Sequence, residues 1–295
     1  MSGKEILSYK IGFIGGGNMC KAIVNGLITN KVYPASQIYI NGPHPDKLKQ
    51  SAELKDCNIC SLSDLIETSN VIVLSVKPNI FMSTVLNDLN KLLSSKSAKS
   101  AFDNKIVISL LAGVTLNALS NKLKFMDANN IAYDYKIIRV MPNTPLQVGA
   151  GNVIYCMDKT TDTDHHNQLI DTLFGSISGI CLKIPEYQMN AATALSGCGP
   201  AFVYLIIDAL ADGGVKQGIA KATAIKLAAQ TLLGAAKTVL ETGKHPIQLK
   251  DEVCSPGGTT ITGVHALENG NIRNTLINAV ETCTKKANEL DAINK

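Results

Sequence analysis

A chain of 295 residues exceeds the roughly 100–200 residues of an ordinary domain, so two domains are expected; 45% apolar and 18% charged residues, with 23 glycines and no tryptophan, describe a globular α/β protein and exclude a disordered or fibrous one. The net charge of +4 is mild and Lys and Arg form no long run, which leaves nucleic acid and membrane surfaces without electrostatic support as partners. The longest apolar run, Ala201 to Ile207, closes at Asp208, short of the roughly 20 residues that span a bilayer, so no transmembrane helix is expected.

In chain order, Met1 to Lys10 holds Glu5 and neither a long apolar stretch nor an arginine-rich amphipathic pattern, so a cytoplasmic location is expected. Short β-branched runs then alternate with helix-length segments. Lys10–Gly15, Gln37–Ile40, Asn70–Val76, Lys105–Leu110, Lys136–Met141 and Asn152–Cys156 read as strands of a parallel, doubly wound Rossmann-type sheet, buried on both faces where the runs are continuously apolar. The strand signal stops near residue 163, which sets a dinucleotide-binding domain over 1–163 and a helical substrate and dimerisation domain over 164–295. In the second, Ala191–Leu195 and Ala201–Leu210 are helical up to Gly213-Gly214. Ala220–Leu240 follows, with Ile225, Ala228, Ala229, Leu232, Ala235, Ala236 and Val239 at 3.6-residue spacing, and fits a tight bundle or a dimer interface equally well. Two more helices are expected, one opening near Thr259 and one from Asn271 to about Leu290.

The eight cysteines are scattered through apolar and helical contexts, and reduced thiols are expected. Cys57-Asn58-Ile59-Cys60 has the spacing of a zinc half-site or a redox motif, but no second Cys/His pair matches it, so no metal is expected.

The cofactor signal is stronger. Gly15-Gly16-Gly17-Asn18-Met19 follows the strand ending at Ile14 and opens the helix Met19–Leu27. Gly15 permits the tight turn, Gly17 lets backbone approach a pyrophosphate, and the helix N-terminus attracts the anion. Cys20 stands where a third glycine is usual. At the end of the second strand Asn41-Gly42 replaces the acid expected of a strictly NAD-specific site, and His44, Lys47 and Lys49 follow, so NADPH or dual use with NADH is expected; the alternative is a plain turn beside solvated lysines. Ser75-Val76-Lys77-Pro78 and Leu111-Ala112-Gly113 end two further strands at the carboxyl edge, where open α/β sheets bind ligands. Lys77 there reads as a phosphate or nicotinamide contact, or as an exposed loop lysine.

Further motifs carry a resemblance. Ser255-Pro256-Gly257-Gly258-Thr259-Thr260, preceded by Lys250-Asp251-Glu252-Val253, resembles the signature of the pyrroline-5-carboxylate reductases. So do Gly12–Gly15 with Gly17-Asn18-Met19, Val76-Lys77-Pro78, Ala112–Thr115, Arg139–Pro145, Leu195–Ala201 and Ala209–Val215, in the family's order along essentially the whole chain. The resemblance implies NAD(P)H-dependent reduction of the cyclic imine Δ1-pyrroline-5-carboxylate to L-proline, the final step of proline biosynthesis. It implies a C-terminal domain of the 6-phosphogluconate dehydrogenase C-terminal type, dimers intertwined through it, and assembly into a larger homo-oligomer such as a decamer. By position, Ile14 to Met19, Ser75 to Pro78 and Leu111 to Gly113 contact the cofactor, and Glu186, Glu252, Thr259 and Thr260 face the substrate. Leu62 departs from relatives that carry a cofactor-contacting Asn, and Cys20 and Cys198 replace small residues.

The chemistry is consistent with this. A protonated C=N bond accepts hydride readily, so positioning, carboxylate recognition and one hydrogen-bond donor suffice, and none of the five histidines needs a catalytic setting. Thr260 is the expected donor to the substrate nitrogen, with Gly257, Gly258 and Thr259 holding the carboxylate; the alternative is that both threonines merely cap a helix. Two other functions share this architecture. A hydroxyacid dehydrogenase calls for Lys and Asn one turn apart in the interdomain helix, which holds no lysine over Asn190–Leu210; Lys21 and Asn25 have that spacing but lie on the glycine-turn helix. A catalytically silent dinucleotide sensor has no need of the Ser255–Thr260 segment.

Overall fold

A computed structural model of the chain describes residues 3–93, 102–124 and 134–293. Contacts divide it into a first unit of residues 1–197 with 283–295 and a second of residues 198–282.

The first unit is built on eight strands: β1 (Ile11–Ile14), β2 (Ile38–Asn41), β3 (Asn58–Ile59), β4 (Val71–Leu74), β5 (Lys105–Ser109), β6 (Tyr135–Pro142), β7 (Asn152–Met157) and β8 (Ile180–Lys183). They form one sheet in the order β3-β2-β1-β4-β5-β6-β7-β8, and β1 to β6 are parallel, as the alternation of strand and helix predicts. The β6–β7 pair is antiparallel, because residues 143–151 are too few for the crossover of a dozen or more residues that a parallel partner needs. Asn143 knits this hairpin: its N–H donates to Asn152 O at 3.1 Å and its Oδ1 accepts from Asn152 N at 2.8 Å.

Helices cover both faces. On one side α1 (Gly3–Ile6) and α2 (Asn18–Thr29) share an apolar cluster with α8 (Asp164–Leu173); Ile6, Ile23, Val24, Leu27, Leu169, Ile170 and Leu173 pack there on Phe13, Val73 and Val140. The short α3 (Pro45–Lys49) places Leu48 in the same cluster. On the other side lie α4 (Leu62–Thr68), then α5 (Pro78–Ile80) continued through a π turn into α6 (Leu86–Leu93), and α7 (Leu116–Lys122). These bury Leu65, Phe81, Val85, Leu89 and Leu119 on Ile14, Ile72 and Val107.

Two boundaries differ from the sequence expectation. The division falls at Gly197 rather than after residue 163, because α8 joins the core and β8 extends the sheet beside β7. The signal of β8 is weak because its four residues are half-buried or exposed and cannot show a buried-strand pattern. The last helix also returns to the first unit, which no local pattern in the chain announces.

From α9 (Met189–Ala192) a π turn leads to α10 (Gly199–Lys216), followed by α11 (Lys221–Thr242), α12 (Pro246–Val253), α13 (Thr259–Asn269) and α14 (Ile272–Ile293). Gly243 ends α11 at φ 64°, the left-handed cap that glycine accommodates. Gly213-Gly214 does not end α10. A Cβ at Gly214 would meet that of Ala224 at 3.2 Å, so this glycine lets α10 and α11 approach closely. Ala211, Ala224 and Ala228 are the buried apolar residues of the helical unit among those described.

Candidate active site

The glycine turn lies at the carboxyl edge of the first unit's sheet. Gly15 has φ 110°, and a Cβ there would stand 2.7 Å from Val76 Cγ1 and 2.9 Å from Ser75 O, so both conformation and space require glycine. A Cβ on Gly16 would lie 2.3 Å from Leu48 Cδ2, so a side chain there requires the tip of Leu48 to shift. Gly17 is different: nothing stands within 4 Å of a Cβ built on it. It is the N-cap of α2, without a side-chain cap and with no acid in the first turn, so no side chain of the cap satisfies the first amides of the helix. Ser75 Oγ braces the turn by donating toward Gly15 O at 2.7 Å, and Gly15 N donates to Asn41 O at 2.8 Å.

A cavity of about 860 Å³ adjoins this turn, lined among others by Gly15, Asn41, Gly42, Leu62, Val76 and Lys91. Asn41 Nδ2 donates to Cys60 O at 3.0 Å, so the residue at the end of β2 presents an amide and no carboxylate. Lys77 is exposed and caps α5, with Pro78 as its first residue. Beyond β5, Leu111 and Val114 are buried, Ala112 is exposed and Gly113 turns at φ 67°. Thr115 then caps α7, its hydroxyl accepting from Ala118 N at 3.1 Å. The structure thus brings together Ile14 to Met19, Asn41 and Gly42, Ser75 to Pro78 and Leu111 to Gly113 at the carboxyl edge. An open glycine cradle, a bare helix N-terminus and an adjoining cavity fit a dinucleotide.

Cys57 and Cys60 flank β3. Burial pushes the Cys57 thiol up to about 11 and raises that of Cys60, so neither is poised as a thiolate nucleophile. Among the described residues no three His, Cys, Asp or Glu side chains gather as a metal-binding group.

The helical unit carries the other segment. Gly257 turns at φ 69° and Gly258 is the N-cap of α13, again with no side-chain cap. Thr259 and Thr260 are its first two residues, so their hydroxyls do not cap the helix. A Cβ on Gly258 would fall 2.3 Å from Ser255 Oγ and 3.1 Å from Ser255 O, so a side chain there requires Ser255 to move. Glu252 on α12 is exposed and accepts from Lys244 Nζ at 2.8 Å, which holds its carboxyl below the usual range.

Glu186 lies in the first unit with partners that the sequence did not indicate. Its Oε1 accepts from Leu116 N, the first amide of α7, at 2.6 Å and sits 3.6 Å from Nη1 of Arg139, which is 1% exposed on β6. Arg139 Nη2 donates to Asn190 Oδ1 at 3.3 Å, and Asn190 Nδ2 donates to Asn288 Oδ1 at 2.8 Å and Asp291 Oδ2 at 2.5 Å near the end of α14. Asn143, beside Arg139 in the Arg139–Pro145 motif, also ties its hairpin to the π turn through Ser196 O at 2.9 Å.

Comparison with known proteins decides the family. Residues 186–290 match the sequence model of pyrroline-5-carboxylate reductase dimerisation, and residues 10–113 match that described as NADP oxidoreductase, coenzyme F420-dependent. The soybean (Glycine max) pyrroline-5-carboxylate reductase is 43% identical over 286 residues, 96% of each chain. The chain belongs to the pyrroline-5-carboxylate reductase family. Human pyrroline-5-carboxylate reductase 2 is 38% identical, covering 96% of this chain and 84% of that one. The solved Plasmodium falciparum pyrroline carboxylate reductase with NADP bound superimposes with a TM-score of 0.80 at 32% identity, over 97% of this chain and 99% of that one.

The helical run from Glu186 to Lys216 is long and apolar enough to cross a membrane by length and composition, although no such segment was expected. Counting only uninterrupted apolar residues misses it, because Ser, Gly, Asn, Asp208 and Asp212 break the run without making it polar. The dimerisation match covers that run.

Proposed function

We propose that this chain catalyses the NAD(P)H-dependent reduction of Δ1-pyrroline-5-carboxylate to L-proline. The correspondence with family members over 96% of the chain carries this reading, and the open cradle at Gly15–Gly17 supports it. Bound NAD(P)H supplies the hydride. Gly17 and the first amides of α2 receive its pyrophosphate, Asn41 and Gly42 meet the ribose, and Ser75–Pro78 and Leu111–Gly113 line the remainder. NADPH serves at least as well as NADH, since Asn41 offers no carboxylate to repel a 2′-phosphate.

In the helical unit, the uncapped first turn of α13 binds the substrate carboxylate through backbone amides of Gly258 and Thr259. Thr260 donates its hydroxyl to the ring nitrogen and assists as that nitrogen gains its proton. Glu252 supports this loop from α12, and Glu186 acts within the first unit through Leu116 N and Arg139. The apolar surface of α10 and α11 is covered by a second copy, as is a cavity of about 600 Å³ on α11 and α12 lined by Leu232, Val239, Leu249 and Val253 among others. We infer further assembly of dimers into a larger ring such as a decamer, with the eight free thiols fitting a reducing cytoplasm. The purified chain should oxidise NAD(P)H on addition of pyrroline-5-carboxylate and not on addition of 2-oxo acids. Oxidation with 2-oxo acids alone would favour a dehydrogenase, and none with either a silent sensor.

A further inference from the structure

Arg139 is an expensive residue where it stands. Its guanidinium is 1% exposed, its Nε has no partner, and the pair to Asp291 Oδ1 is long at 3.9 Å. A buried ion network of this kind contributes little net stability over a well-packed apolar set, so its presence is not accounted for by folding alone.

Its partners point to a task. Through Glu186 it reaches Leu116 N, which closes the loop running from Leu111 to Thr115. By register Arg139 also pairs with Ser109, whose Oγ accepts from Leu111 N at 3.3 Å where the same loop begins. From its other side, Asn190 joins it to Asn288 and Asp291 in the part of α14 that belongs to the first unit. The far end of the loop and the last turns of α14 therefore meet at one guanidinium, and the loop begins beside the strand position that carries it.

We propose that Arg139, Asn190 and Asp291 are positioning residues: the C-terminal turns of α14 hold Arg139 and Glu186 so that the Leu111–Thr115 loop keeps the geometry in which it receives the nicotinamide cofactor. The inference rests on reading Leu111–Gly113 as a cofactor contact. None of the three touches the reacting atoms; they act through the loop, and a displacement of about 1 Å there is enough to weaken a bound group markedly.

The full-length chain carrying Asp291→Ala tests this. NADPH affinity, measured by fluorescence titration, should fall about tenfold, while the KM for pyrroline-5-carboxylate and the sedimentation coefficient stay within twofold and a few per cent of wild type. Asp291→Asn, which keeps the side-chain oxygen that accepts from Asn190, should recover most of the affinity, and it carries the test if the alanine variant does not fold. Unchanged NADPH affinity in both variants, with only a lower melting temperature, overturns the network's role. A wild type that binds no dinucleotide overturns instead the cofactor reading beneath it.

Discussion

The sheet unit buries two large apolar clusters, one on each face, and a smaller one around Met141, Ile154, Cys156 and Met189, whereas the helical unit buries only Ala211, Ala224 and Ala228 among its described apolar residues and leaves Leu205 at 71%, Leu240 at 68% and Val253 at 65% exposed. The first is a folding unit with its own core. In the second, helices 18 and 22 residues long make one close contact, α10 on α11, through alanine and glycine, and the rest of their apolar surface waits for a second chain. The difference teaches where each half of the proposed chemistry is vulnerable: the sheet unit to changes in one turn, the helical unit to loss of a neighbour.

The largest effect should therefore come from charging the open face. Leu233 is 58% exposed on α11, and Leu233→Glu would bury an unpaired carboxylate at a subunit contact. We expect a dissociated chain in analytical ultracentrifugation and an activity fall of about 100-fold or more. The expected stripe over Ala220–Leu240 divides here, because Ala228 packs within the chain; Ala228→Glu would damage the α10–α11 pair itself and could not separate assembly from folding.

Next in size is Thr260→Ala. With Gly258 as the cap, its hydroxyl is free for chemistry, so kcat should drop on the order of 100-fold with melting temperature and cofactor affinity kept, and Thr260→Ser should restore most of the rate. A fall in stability without a fall in kcat would return this residue to a structural role.

On the cofactor side the contrast between neighbouring glycines sharpens the comparison. Gly17→Ala places its methyl in open space, so stability should shift by less than about 0.5 kcal/mol. The methyl stands where the proposed site receives phosphate, and calorimetry should show cofactor binding weakened about tenfold, near 1.4 kcal/mol. Gly15→Ala should lose both binding and stability, since φ 110° and the Val76 and Ser75 contacts oppose it. The smallest effect expected is that of Asn41→Asp, which should shift steady-state preference toward NADH a few-fold by setting a carboxylate beside the 2′ position; strong NADH selectivity in the wild type would remove the premise.

Much of the sheet unit is legible in the sequence because its strands are continuously apolar and its turns carry glycine for steric reasons that act within a few residues. β3, two residues long, and β8, half exposed, carry no such periodicity. In the helical unit the C-terminal cap at Gly243 could be read, but Gly214 looked like a helix end and serves helix contact instead; the distinction depends on Ala224, which only the fold brings near. α12 escaped because its start at Pro246 follows a loop with weak patterning. The polar network at Arg139 was invisible for a different reason: Asn190 meets Asn288 and Asp291 across separations of 98 and 101 residues, with no local signature. The candidate site was legible as motifs, and the partners that hold those motifs were not.

The central claim is that this chain delivers hydride to a cyclic imine. Purified enzyme supplied with pyrroline-5-carboxylate and NADPH carrying deuterium at the transferable C4 position should yield L-proline with a single deuterium on the ring carbon bonded to nitrogen and distant from the carboxylate, read by mass spectrometry and NMR. Proline without that label, or no proline despite tight cofactor binding, would contradict the account.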